Sequence, residues 1–261
     1  MTRLTSAEKL LQSLGIQEPG DIDLEAIAWH CGAEVRTQSL DGCEARIVGN
    51  QNKAIITIAE DKSFERQRFS IGHELGHWEH HRGQAFICRS EDIGNNDKPF
   101  SATDPEKIAD KYSSDLLMPE YMFKPMVNKA AHACFEVSSE LKELFQTSFT
   151  ATNFRLVDFT PEPCVLLCHD KHGKRKWFKR SRDIPDILFP RDRVDPDTYA
   201  ADVLSGKERA SPPRIMPADA WFDGDSYSHY EIYEETVNID RGRILTLLTW
   251  RDEAMLERYA A

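Results

Sequence analysis

At 261 residues the chain exceeds one typical domain of about 100–200 residues, so it reads as one large domain or two unequal ones with room for a sizeable core. Hydrophobic residues at 40% and charged residues at 30% are ordinary for a globular protein and give no reason to invoke wholesale disorder. The 33 basic and 44 acidic side chains leave a formal charge of −11, which disfavours nonspecific affinity of the whole molecule for nucleic acid or anionic membranes.

The opening stretch MTRLTSAEKLLQSLGIQEPGD mixes charges with its apolar residues and does not read as a secretory signal. No later segment approaches the roughly 18 uninterrupted apolar residues of a membrane span, so a cytoplasmic location without a membrane partner is the expectation. The six cysteines, Cys31, Cys43, Cys88, Cys134, Cys164 and Cys168, lack a framework-like spacing and are expected as free thiols. Cys164 and Cys168 lie close to His169 and His172, but not at a standard zinc spacing; alternating strand residues explain them better.

In chain order, Leu10, Leu11 and Leu14 give a first helix over Ser6 to Leu14, with Ser6 as its cap and no complete capping box, since Lys9 stands three residues on. Residues 23–29 form a second short helix with acidic residues in its first turn. Residues 33–60 read as strands: Asp41-Gly42 signals a hairpin, residues 50–52 a second turn, and Ala54 to Ile58 is rich in β-branched residues, predicting a small antiparallel sheet. From Ser63 to His81 there is no proline, and Phe64, Ile71, Leu75 and Trp78 fall on one helical face. Residues 82–105 carry Gly, Asn, Asp and Pro and read as a loop beside or over the site that the histidine-rich helix offers. Asp104 and Pro105 then cap and open a helix that contains Glu106, Ala109, Asp110 and Tyr112 and stops near Met118-Pro119. Residues 135–159 are again helical. Beyond a boundary near 160, CVLLC, the turn at 170–173, the run Lys176-Trp177-Phe178, and EIYEETVNID paired with RILTLLTW make the last part of the chain β-rich.

The chemistry concentrates in HELGH, residues 73–77. On a helix, residues four apart share a face, so His73 and His77 direct two imidazoles to one point while Glu74 lies about 100° around the axis, free of the metal. Two neutral imidazoles and a third protein ligand hold zinc with a position left for water, and a neighbouring glutamate takes the proton of that water as it attacks a carbonyl. Glu74 is thus the candidate general base. A five-residue pattern fixing three positions also recurs by chance, so the third ligand decides. The metzincin extension fails, because His80 and Gly83 stand where it needs Gly and His. His80 and His81 sit one turn further along the same helix, where reaching the same metal is awkward; they suit the helix C-terminus. A carboxylate on the second helix is more attractive. Glu106 and Asp110 are spaced ExxxD and face the same way, so Glu106 can ligate and Asp110 can accept a hydrogen bond from the far nitrogen of a ligand histidine, against the plainer reading of a solvated acidic face.

HELGHWEHH followed by EKIADKYSSDLLMP resembles the ImmA/IrrE family of zinc-dependent metallopeptidases, whose signature joins a HELGH helix to a second helix of the form ExxAN/D-x-F-A-x-x-LLMP. The resemblance implies His73, His77 and Glu106 as metal ligands and Glu74 as catalytic base. Asp110 stands where the family shows Asn or Asp, while Tyr112 and Ser113 replace the usual Phe-Ala at packing positions. The implied class is α+β: a zincin-like metallopeptidase domain of helices and a small antiparallel sheet over 1–125, a helical, helix-turn-helix-like segment over 126–160, and a β-rich C-terminal domain of unassigned role over 161–261. The implied metal is zinc, with manganese as the alternative in the cell. The implied substrate is a helix-turn-helix transcriptional repressor whose cleavage derepresses stress-response or mobile-element genes.

Two rival functions stand beside this one. In the first, a non-catalytic module sequesters a repressor or DNA through the basic hairpin formed by Lys174, Arg175, Lys176, Trp177, Lys179 and Arg180, although an edge strand commonly carries lysines merely to discourage pairing. The second is a member of a toxin–antitoxin pair. Tyr112, Tyr121 and His132 are oxyanion-stabilising candidates by proximity in sequence alone.

Overall fold

A computed structural model describes residues 3–82, 86–88, 94, 104–224 and 227–259. The loop expected over 82–105 therefore lies largely outside the described residues. The chain forms two compact units, Met1–Phe123 with Leu141–Ala151, and Lys124–Glu140 with Thr152–Ala261.

In the first unit, helix α1 (Ser6–Ser13) is capped one residue earlier than the sequence suggests, and the capping box is complete. The Thr5 hydroxyl accepts from the Glu8 N–H at 3.4 Å, and the Glu8 carboxylate accepts from the Thr5 N–H at 2.9 Å. The second Glu8 oxygen accepts from the Glu120 N–H at 2.7 Å, so one buried carboxylate serves the starts of α1 and of α5 (Glu120–Val127). Helix α2 (Leu24–His30) is capped by Asp23.

Strands β1 (Ala33–Gln38), β2 (Ala45–Gly49), β3 (Ala54–Ala59) and β4 (Phe86–Cys88) form a four-stranded sheet in the order β1-β3-β2-β4. The sheet is mixed and not antiparallel, because β1 pairs with β3 in parallel while the other pairings are antiparallel. The chain does reverse near Asp41-Gly42, as the turn signal requires, but β3 slots between β1 and β2. The reversal must therefore bridge two strand spacings of about 4.8 Å each, which a two-residue hairpin cannot do.

Helix α3 (Phe64–His80) packs on this sheet, and α4 (Pro105–Leu117) packs on α3. Every residue from Ser70 to Trp78 is consequently buried. Ile71, Leu75 and Trp78 face the core as their spacing predicts, but Phe64 is 57% exposed with the Arg68 guanidinium over its ring. The buried Glu44 carboxylate, just before β2, accepts from Ser70 at 3.0 Å and is paired with Arg66, which pins β2 to α3. Asp104 caps α4 and Pro105 opens it.

Helices α6 (Phe135–Phe145) and α7 (Phe149–Phe159) are each divided between the two units. In the second unit, β5 (Cys164–His169), β6 (Arg175–Arg180), β7 (Ala210–Pro217), β8 (Glu231–Asn238) and β9 (Ile244–Thr249) form an antiparallel sheet in the order β6-β5-β9-β8-β7, joined by α8 (Tyr199–Leu204) and α9 (Ala254–Tyr259). β5 and β9 are buried along their whole length, which accounts for unbroken apolar runs there where a half-exposed strand would alternate. Cys164 and Cys168 are core residues of β5, and all six cysteines are free thiols.

Glu234 lies in the core of this unit, accepting hydrogen bonds from the Trp221 indole at 2.9 Å and the Ala200 N–H. Burial pushes its carboxyl up to about 7, against the lowering effect of those donors. Because folding raises this pKa above its unfolded value of 4.5, the contribution to stability is complete below the unfolded value and is lost as pH rises through about 7. Urea denaturation of the wild type should therefore lose up to about 3 kcal/mol between pH 5 and pH 8 from this group, and Glu234→Gln should remove that part of the slope.

Candidate metal centre

The i, i+4 spacing on α3 brings the His73 and His77 rings edge to face, 4.7 Å between centroids, with their Nε2 atoms 3.1 Å apart. From α4, Glu106 places Oε2 at 3.1 Å from His73 Nε2 and Oε1 at 3.5 Å from His77 Nε2. On the same face of α4, Asp110 Oδ1 lies 3.0 Å from His73 Nδ1 and also accepts from the Gly94 N–H at 2.8 Å. The structure thus brings His73, His77, Glu106 and Asp110 together, with Glu74 buried beside them.

That convergence depends on how closely two helices approach. A Cβ on Gly76 would lie 2.8 Å from the Ala109 Cα, and one on Gly72 would lie 2.5 Å from the Ser113 hydroxyl oxygen. The missing side chains let α4 seat directly on α3, and the Ser113 hydroxyl uses the short distance to donate to the Phe69 carbonyl at 2.8 Å. Gly76, the glycine of the motif, and Gly72 just before it are therefore packing residues of the site. Tyr112, on the same helix, is buried with its ring edge-on to His80.

The electrostatics follow from burial and from these contacts. Burial alone would push the His73 imidazole down, but the bonds to Asp110 and Glu106 outweigh it and raise the pKa to about 9. His77 is lowered, mainly by burial. Glu106 is held well below the usual carboxylate range, because its bonds to the two histidines prevail over its desolvation. Burial pushes Glu74 up to about 7, against the opposing influence of His73 and the Cys88 thiol, and neither of its oxygens has a partner at hydrogen-bonding geometry.

Two imidazoles and one carboxylate thus converge on one point. A tetrahedral ion with bonds of about 2.0–2.3 Å needs ligand atoms about 3.3–3.8 Å apart, close to the spacings of 3.1 and 3.5 Å here, so the donor set fits a cation. A fourth donor, Cys88, was not visible in the sequence. His73, His77, Glu106 and Cys88 each offer one ligand atom, all within 4.8 Å of one another. No spacing rule marks a cysteine 11 residues past His77; the pairing of β4 with β2 brings it there.

The remaining expected residues are placed elsewhere. His80 is exposed, and His81 lies with its Nδ1 3.4 Å from Nδ1 of His77. The Tyr121 hydroxyl donates to the Ile16 carbonyl at 2.9 Å, and His132 pairs with Glu162 at 3.2 Å. On the basic hairpin only Lys174 and Lys176 are exposed. Arg175 bonds the Pro190 and Arg191 carbonyls and stacks on Phe178 and Phe189; Lys179 pairs with Asp158 at 2.7 Å; Arg180 pairs with Asp186; the Trp177 ring meets Phe154. Among the described residues, no helix is long and apolar enough to cross a membrane.

Residues 31–157 match the family model of the IrrE N-terminal-like domain, Peptidase_M78. A comparison with curated proteins finds no match. Among solved structures, a Mycobacterium tuberculosis transcriptional regulator is similar, with a TM-score of 0.61 at 14% identity over 96% of this chain and 77% of that one, a likeness of fold.

Gly76→Ala tests the packing. Its Cβ would meet backbone, so the variant should lose about 1–3 kcal/mol in thermal or urea denaturation and bind metal at least tenfold more weakly in competition with a chelator. Unchanged metal affinity in the folded variant would show that the close approach does not hold Glu106 in place.

Proposed function

We propose that this chain, which carries an ImmA/IrrE-type peptidase domain over residues 31–157, is a zinc-dependent endopeptidase that cuts one intracellular protein. The observation that carries the reading is the convergence of His73, His77 and Glu106 on one point with the buried, unpartnered Glu74 carboxylate beside it. A buried carboxylate without a partner costs free energy that a purely structural metal site has no reason to bear.

Zinc bound by His73, His77 and Glu106 supplies Lewis acidity toward a water and the scissile carbonyl. The rest belongs to side chains. Asp110 accepts from Nδ1–H of His73, which fixes the tautomer that presents Nε2 as a lone pair. Glu106 enters as a carboxylate, since its two histidine contacts keep it ionised. Glu74 takes the proton of the attacking water and returns it to the departing amine. Before any cation is bound its pKa is about 7, within the range where a side chain both accepts and donates a proton near neutrality.

For the substrate, a helix-turn-helix transcriptional repressor is the reading that the ImmA/IrrE resemblance favours. The similarity to a solved protein described as a transcriptional regulator is consistent with it and says nothing of cleavage. The rival sequestering module is less well supported, because Arg175, Lys179 and Arg180 spend their charge on contacts within their own unit.

Elemental analysis of three proteins checks the assignment. Wild type and Glu74→Gln should each carry about one zinc per chain, and Glu106→Ala should lose it. Glu74→Gln should also lose cleavage of any substrate the wild type cuts, by at least about a hundredfold for removal of a general base. A fully active Glu74→Gln enzyme would refute the assigned base, whatever the metal content.

A further inference from the structure

We propose that Cys88 is a fourth ligand of the metal, so that the fold as described holds the centre in a closed form with strand β4 as its built-in stopper. This rests on the metal-site reading above and adds to it a ligand, a resting state and a metal preference.

The thiol is held there by the backbone. Cys88 is 1% exposed, and its Sγ lies 3.5 Å from Nε2 of His77, the same nitrogen that faces Glu106 and His73. In the antiparallel register Cys88 stands opposite Ala45, and its carbonyl accepts from the Glu44 N–H at 3.0 Å. The Glu44 side chain is bonded to Ser70 and Arg66 of α3, the helix that carries His77. A short path of hydrogen bonds thus runs from the ligand helix through Glu44 to the cysteine backbone.

A catalytic zinc site uses three protein ligands and leaves a position for water, whereas four protein ligands describe a closed site. His73, His77, Glu106 and Cys88 make four. Yet Glu74, which a closed structural site does not use, is buried beside them, with neither oxygen in a hydrogen bond of good geometry and the Cys88 thiol acting on its carboxylate. The two facts agree if Cys88 occupies the position where water belongs. β4 also takes the edge of β2, the place where an extended peptide could add itself to the sheet next to His77 by backbone hydrogen bonding. One three-residue strand therefore fills both a coordination position and an edge. When the metal binds, the thiol loses its proton to solvent and ligates as thiolate; displacement of β4 by a substrate strand or another chain reverses this. A thiolate in the set selects zinc, or cobalt as its probe, over manganese.

Cobalt(II) substitution tests this on the full-length protein. Wild type loaded with cobalt under anaerobic conditions should show a sulfur-to-cobalt charge-transfer band in the near ultraviolet besides the visible bands of a tetrahedral ion. Cys88→Ser should lose the near-ultraviolet band, keep visible bands, and bind zinc about tenfold or more weakly. Acetohydroxamate should perturb the visible bands of Cys88→Ser at concentrations that leave wild type unchanged. Cobalt bound to wild type without the charge-transfer band overturns the ligation and leaves the metal-site reading standing, as does a band that survives in Cys88→Ser. Failure of wild type to bind cobalt or zinc at all overturns both. If Cys88→Ser does not fold, the wild-type spectrum and Cys88→Ala decide in the same way.

Discussion

The architecture of the first unit depends on how closely α4 can approach α3. Helices ordinarily pack with their axes about 8–10 Å apart, the distance depending on the side chains at the contact. Here Gly72 and Gly76 remove those side chains from one helix, and Ala109 and Ser113 keep the other's small. Only at that separation does a glutamate on α4 reach the imidazoles of α3, and only there can the Ser113 hydroxyl reach the Phe69 carbonyl. Gly76, the motif's glycine, thus sets a distance. It explains why a carboxylate far along the chain sits within about 3 Å of a histidine.

Close approach also sets the electrostatics. Sandwiched between the sheet and α4, the middle of α3 is removed from water, and each ionisable group there must find a partner or shift its pKa. His73 finds two acceptors, Glu106 and Asp110, and remains cationic well above its ordinary range when no metal is bound. Glu74 finds only the opposing influence of His73 and the Cys88 thiol, which burial outweighs, and is pushed toward neutrality. The same burial therefore moves two neighbouring residues in opposite senses relative to the charge each can keep, because only one faces the carboxylates of α4. Divergence of this kind between adjacent groups is common where proton transfer is carried out and uncommon in a merely structural helix.

What could be read in advance was whatever depends on local periodicity or on capping. The ligand helix, the Asp104-Pro105 start of α4, its stop before Pro119 and the β8–β9 hairpin all declare themselves in neighbouring residues. The i, i+4 and ExxxD spacings likewise put the site's side chains on two helical faces before any fold is known. Non-local choices were not legible. Asp41-Gly42 announces a reversal but not that β3 will slip into the gap, so the mixed sheet was missed. Phe64 has the right phase for the core, but it lies in the first turn of α3, where it stays exposed. Thr5 outcompetes Ser6 as a cap because Glu8, not Lys9, stands three residues on. Cys88 has no spacing signature at all, since its place comes from pairing between strands separated by a whole helix.

That last case bears on how such a centre can be both assembled and restrained. The two histidines are buried on one helix, and the carboxylate is carried by a second helix packed against it, so the backbones of all three belong to the α3–α4 core. Cys88 is different: among the described residues it is held by β4, which pairs with β2. Each hydrogen bond of the described β4–β2 pairing is worth about 0.5–1.5 kcal/mol net, and another strand that pairs equally well can replace it. Three donors are thus bound to the stability of the domain, and the fourth to its weakest sheet contact. The ligand set proposed here would keep a bound metal while changing how many positions the protein fills.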